Sequence, residues 1–135
     1  MSTDTNEETV RNFVTDCFFN GDPDAVDEYV TDNFVRHGPT TGEVHGADEY
    51  KQFVTEIDTA FPEFDGTIDA MLGKGDEVMY RWRADATQKG EFMGIDPTDK
   101  TVTMTGMDQV RLEDDHIAEI WGVFDVHSLL EQLEE

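Results

Sequence analysis

The stretch TVTMTGMDQVRLEDDHIAEIWGVFD, Thr101 to Asp125, decides how this chain folds. Thr101 to Leu112 reads as a strand, Glu113 to Asp115 as a tight turn, and His116 to about Asp125 as a strand returning beside the first. Because side chains alternate along a strand, Met104, Gly106, Asp108 and Val110 share one face of the first strand, opposite Thr105, Met107, Gln109 and Arg111. On the second strand Ile120, Gly122 and Phe124 oppose Glu119, Trp121, Val123 and Asp125. Neither set is wholly polar, so one face is expected to cover a core and the other to meet a second subunit, with Thr105, Met107, Gln109, Trp121 and Val123 forming a homodimer interface.

Upstream, Glu77 to about Thr87 makes another strand, with Tyr80, Trp82, Ala84, Ala86 and Gln88 on the face turned to the helices. Gly73 to Asp76 turns the chain into it from a strand over Phe64 to Leu72. Before Pro62 the period changes to that of helices. Val10, Phe13, Val14, Cys17 and Phe18 mark a first helix, entered through a capping box of Thr5 and Glu8 and ending near Asn20-Gly21. Asp22-Pro23 opens a short second helix with Val26, Tyr29 and Val30 along one side. Phe34 to Gly46 reads as a loop, and Tyr50, Phe53, Val54 and Ile57 mark a third helix stopped before Pro62. His127 to Leu133 reads as a short closing helix. Helices first and an antiparallel meander afterwards give an α+β fold, three N-terminal helices packed on one sheet face, as one domain over residues 1–135.

The formal net charge is −23, from 32 Asp plus Glu against 9 Lys plus Arg. That balance opposes binding to phosphate backbones or anionic lipid, so neither nucleic acid nor membrane is an expected partner. The acids run the whole length of the chain, the pattern of a surface hydrated in concentrated salt, which points first to a halophilic source and second to a cationic partner protein. Cys17 stands alone among apolar residues and reads as a small buried hydrophobe. The first six residues are polar, without an apolar signal core, and no segment approaches the ~20 apolar residues of a membrane span; the expected location is cytoplasmic.

The segment GEFMGIDPTDKTVTMTGMDQVRLEDDHIAEIWGVFDVHSLLEQL, Gly90 to Leu133, resembles the second half of the SnoaL-like polyketide cyclase or ester cyclase family. FVRHGPTTGEVHGADEYKQF, Phe34 to Phe53, resembles that family's first-half loop and third helix. The resemblance implies the cone-shaped α+β barrel shared with nuclear-transport-factor-2-like proteins and ketosteroid isomerases, and a pocket for small, often polycyclic, carbonyl compounds. His37, Asp108, Arg111, Glu119, Trp121 and Asp125 match positions that recur in the family. Two positions depart from it: Gly122 stands where such cyclases carry an acid/base aspartate, and Gln88 where many carry a histidine. Asp114-Asp115 replaces an Asp-Gly turn.

On that register Asp108 and Gly122 face the pocket from neighbouring strands, and Asp108 is the one acid on the inward face of the two. Aldol cyclisation requires a base to take a proton beside a carbonyl and a donor to hold the enolate. Asp108 is the expected base, with His37 at the pocket mouth orienting it or protonating an alkoxide. Gln88, Trp82, Tyr80, Met104, Gly122 and Phe124 are the expected ligand-binding residues. The four histidines are dispersed, so no metal site is expected, and no glycine loop cradles a phosphate; no cofactor is expected. The leading expectation is therefore acid/base cyclisation of a small hydrophobic carbonyl compound. Its alternatives are a non-catalytic binding or interaction module, and an isomerase or hydratase using the same pocket.

Overall fold

The computed structural model describes residues 3–39 and 42–134. The first helix, α1, spans Thr3–Phe13 and continues as a π-helical turn over Val14–Phe19. It is under way two residues before the expected cap at Thr5. Val10, Phe13, Val14 and Cys17 are buried, the i, i+3, i+4, i+7 stripe of an amphipathic helix. The wider turn sets Phe18 edge-on to Trp82, ring centroids 5.2 Å apart. Burial, reinforced by neighbouring acids, pushes the Cys17 thiol up to about 12. Asp22 then caps a 3-10 helix, Pro23–Glu28, accepting from the Asp24 amide at 3.0 Å.

The sequence reading placed a loop from Phe34 to Gly46, and there the structure differs. Val30–Gly38 is a strand, β1, and Gly42–His45 a short edge strand, β2, paired antiparallel to it. Of the residues that signalled a loop, Gly38 ends β1, Gly42 opens β2, and Pro39 lies between the two strands; Thr40 and Thr41 lie outside the described residues. Val30, Phe34 and Arg36 are buried at even spacing, the mark of a strand with one covered face. Val30 accordingly starts this strand rather than extending the second helix.

Helix α2, Gly46–Ala60, lays Tyr50, Val54 and Ala60 on the core. Four long strands follow: β3, Glu63–Lys74; β4, Glu77–Thr87; β5, Thr101–Glu113; and β6, His116–Phe124. Helix α3, Val126–Glu134, closes the described chain through buried Leu129 and Leu133. The strand order is β2-β1-β6-β5-β4-β3 in one six-stranded sheet. All neighbours are antiparallel except β1 and β6, which run parallel. The expected antiparallel sheet is thus a mixed one, curved and unclosed, because β1 enters from the helical half and not from a hairpin off β6.

The inward face carries Tyr80, Trp82, Ala84 and Ala86 of β4, Val102, Met104 and Val110 of β5, and Ile120 of β6, all buried. Two glycines of β5 and β6 on that face make room for large side chains. A β-carbon at Gly106 would stand 2.6 Å from the Trp82 indole, so the glycine seats that ring. The second is Gly122. The β5–β6 turn keeps left-handed backbone without glycine, at Asp114 with φ 48° and Asp115 with φ 68°, where the short polar side chain of aspartate is tolerated.

Candidate active site

Register builds the site. Tyr80 lies opposite Asp108 across β4 and β5, and Asp108 opposite Gly122 across β5 and β6, so three inward positions form one row. One strand further, Arg36 pairs with Ile120 and turns to the same side. The Tyr80 hydroxyl donates to Asp108 Oδ2. A β-carbon at Gly122 would lie 2.5 Å from Asp108 Oδ1 and 2.6 Å from Arg36 Nη2, so carboxylate and guanidinium converge over the bare glycine. The guanidinium also stands 5.0 Å from the centre of the Phe53 ring, in cation–π range.

These groups close the inner end of an apolar cavity, walled by Val14, Phe18, Tyr50, Trp82 and Met104. Its free volume is about 30 Å³, room for a water-sized group. Phe53, Ile57, Phe92 and Phe124 line both this cavity and an outer groove of about 410 Å³ beside α2 and the 91–93 segment, and so form the throat between them.

Electrostatics give the row a defined character. Burial raises the Asp108 pKa above the ordinary carboxylate value, while the Tyr80 hydrogen bond and the Arg36 charge pull against that rise. Tyr80 is driven well above a normal phenol, by burial first and by Asp108 next. Burial likewise raises Tyr50. Tyr80 therefore keeps its proton, and Asp108 is a carboxylate that takes one more readily than an exposed aspartate.

The structure brings Asp108, Tyr80, Trp82, Met104 and Phe124 to the lining of this cavity. Gly122 lies beneath Asp108 and Arg36 and is not part of the lining, and two further expected residues lie elsewhere. His37 does not reach Asp108. It follows Arg36 on β1 and therefore points to the opposite sheet face, where Nε2 meets Glu119 at 2.6 Å and Nδ1 meets Glu43 at 2.9 Å. Its ring stacks on Trp121 at 5.6 Å. Those carboxylates raise the His37 pKa, with Glu119 the larger influence, and Glu119 is lowered in return, chiefly by His37. Gln88 is fully buried but absent from the lining of the cavity. Its amide donates to Gly90 O and Ile95 O, each at 3.0 Å, and its oxygen accepts from the Thr98 amide and hydroxyl at 3.1 and 2.8 Å. All four of its hydrogen-bonding positions are used in pinning the segment from Gly90 to Thr98.

Arg36 and Tyr50 are polar lining residues that the sequence reading does not include, beside the apolar Val14, Phe18, Phe53, Ile57 and Phe92. The signal for Arg36 was available: Phe34 and Arg36 share parity, and an apolar Phe34 facing the core carries Arg36 inward with it. Among the described residues no group of three or more His, Cys, Asp or Glu is arranged to hold a metal ion. Nor is any helix among them long and apolar enough to cross a membrane.

An inward acid at the closed end of an apolar cone, inside a curved sheet backed by helices, is the architecture of a family of small pocket proteins. The chain matches the SnoaL-like polyketide cyclases over residues 8–133 and belongs to that family. IdmH of Streptomyces antibioticus, designated a polyketide cyclase, shares 27% identity, with a TM-score of 0.83 covering 96% of this chain and 99% of its own. A protein of a Jannaschia species, designated a SnoaL-like polyketide cyclase, superposes with a TM-score of 0.88 at 21% identity, over 97% of this chain and 92% of its own. An epoxide hydrolase of Mycobacterium tuberculosis has the same fold at 17% identity, with a TM-score of 0.75 over 98% of this chain and 91% of its own. No curated protein matches the sequence.

Proposed function

We propose that this protein is a cofactor-independent acid/base catalyst that enolises a carbonyl group of a small hydrophobic compound, as an intramolecular aldol cyclase does. The observation that carries this reading is Asp108, a carboxylate with raised pKa held by Tyr80 at the inner end of an apolar cavity. Asp108 takes a proton from the carbon beside the carbonyl; that C–H electron pair moves to the carbonyl oxygen as an enolate. The enolate carbon then attacks a second carbonyl of the same molecule, and the alkoxide so formed recovers the proton from Asp108. Tyr80 orients the carboxylate throughout. The inner cavity admits the reacting end and the outer groove the rest of the molecule, so the substrate is longer than the inner cavity is deep.

Solvent deuterium tests the reading. In D₂O the protein is expected to exchange the acidic carbon-bound protons of aromatic β-dicarbonyl compounds faster than buffer does, followed by proton NMR. Binding without exchange would favour a non-catalytic ligand-binding module. A second catalytic reading is favoured by the size of the inner cavity: a single water beside Asp108 suits hydration or hydrolysis. In that case turnover incorporates ¹⁸O from solvent.

We also propose that the outer sheet face pairs two copies of the chain. Met79, Met107, Trp121 and Val123 are 48%, 51%, 39% and 50% exposed. Register gathers them into two adjoining rows, Met79-Gln109-Trp121-His37 and Arg81-Met107-Val123. An apolar strip on so acidic a surface is the part least served by water. Light scattering in molar salt is expected to give a dimer at micromolar concentration, and Met107→Glu with Val123→Glu a monomer; a monomeric wild type removes the proposal.

The acidic surface supports a halophilic character. With a formal charge of −23, lowering salt from molar to ~0.1 M lengthens the Debye screening distance from ~3 to ~10 Å and restores repulsion among carboxylates. The melting temperature is expected to rise steadily with added salt, whereas a flat or falling dependence contradicts a halophilic character.

A further inference from the structure

We propose that Arg36 is the catalytic group that holds the oxyanion, and that Gly122 is a glycine so that the guanidinium can sit where a side chain would otherwise project. The inference rests on the enolising reading above and names the electrophile that reading requires. Three observations carry it. Arg36 is only 7% exposed, and it is the one cation among the described residues lining the inner cavity, as Asp108 is the one anion. Its Nη2 and Asp108 Oδ1 both approach the position of a Gly122 β-carbon, at 2.6 and 2.5 Å. Tyr80 commits its proton to Asp108 and so does not offer that proton to a substrate oxygen.

Charge accounting shows what the pair does. Before reaction the inner end holds one cation and one anion. As the C–H bond breaks, the proton forms an O–H bond on Asp108 and the electron pair moves to the carbonyl oxygen. The negative charge has moved from carboxylate to substrate, and the guanidinium now faces it. No net charge is added to a low-dielectric site, and the donor is already oriented when the oxyanion forms. The planar fork of arginine suits two donors to one oxygen or to carboxylate and substrate together. A carboxylate at position 122 would instead add negative charge beside the developing enolate.

The test uses 4-nitrophenol, whose anion mimics an enolate and differs from the neutral form in absorbance. Asp108→Asn fixes the base in the uncharged form it has after taking the proton. In that variant bound nitrophenol is expected to be ionised, with a pKa lowered by about 1–3 units from its value in water. Adding Arg36→Met is expected to abolish the lowering, and adding Arg36→Lys to retain part of it. Thermal melting verifies that each variant folds, and Asp108→Ala replaces Asp108→Asn if the latter does not. Equal ionisation with and without Arg36, or no nitrophenol binding to Asp108→Asn, overturns the proposal. The deuterium-exchange assay separates the two levels. Arg36-dependent ionisation without exchange in wild type retains the oxyanion site and rejects the enolising reaction, and exchange without Arg36-dependent ionisation does the reverse.

Discussion

Replacing Asp108 by asparagine is expected to lower carbon-proton exchange and turnover by ~10²–10⁴-fold while leaving ligand affinity nearly unchanged. Asparagine keeps the shape and the Tyr80 contact but accepts no proton from carbon. The loss should therefore fall on kcat and not on KM. The pH profile gives a second signature. The active form of a base is the ionised one, and Asp108 is raised above the ordinary carboxylate value. Activity of the wild type is expected to fall with decreasing pH at a higher pH than for a free carboxylate, and this limb should vanish in Asp108→Asn. Stability carries the opposite sign. A group whose pKa is higher folded than unfolded stabilises the fold fully below its unfolded pKa, and that contribution is lost as pH rises through the folded value. Equal exchange rates for wild type and Asp108→Asn would exclude Asp108 as the base.

What the sequence makes legible follows from how strongly each segment is patterned. Strand β4 alternates without interruption, so its bounds and the inward placement of Tyr80 and Trp82 can be read from its two faces. Strands β5 and β6 carry apolar residues on both faces, and the inward placement of Asp108 is implied by the family resemblance. Strand β1 hides its alternation behind Asp32, Asn33 and the Gly38-Pro39 connection, and it pairs in parallel with a strand some 80 residues on, a partnership no local pattern announces. Missing β1 had a direct consequence for the site. Read as a loop, Phe34 to Gly38 leaves the direction of each side chain open; read as a strand, Arg36 points in and His37 out. The resemblance implies that His37 sits at the pocket mouth, whereas its partners here are Glu43, Glu119 and Trp121. Gln88 was misplaced for a different reason. Its parity is inward, yet it lies just past the end of β4, where an inward side chain meets the returning loop before it meets the cavity.

Substitution of Gly122 is expected to disturb the charged pair on which the site is built. A β-carbon there falls 2.5 Å from Asp108 Oδ1 and 2.6 Å from Arg36 Nη2, closer than side-chain carbons approach such atoms. Both are ends of side chains, so the fold can yield, but only by pushing the two charged groups from their seat. Gly122→Ala is therefore expected to cost ~1–3 kcal/mol as overpacking, which lowers the melting temperature by several degrees. Gly122→Asp adds a second buried carboxylate beside Asp108 and is expected to cost more, on the scale of about 3–5 kcal/mol seen when a buried charge lacks its own partner. Part of the volume conflict comes from Arg36, which makes that part of the effect correctable. In Gly122→Asp with Arg36→Ala, the truncated arginine vacates the space the new side chain needs, while the two carboxylates can share one proton. The double variant is expected to be more stable than the sum of its single changes by about 0.5–3 kcal/mol, measured by chemical denaturation in molar salt. Simple additivity would mean that Arg36 does not occupy the space above Gly122 in solution, and the account of why a glycine stands at that point on β6 would fail with it.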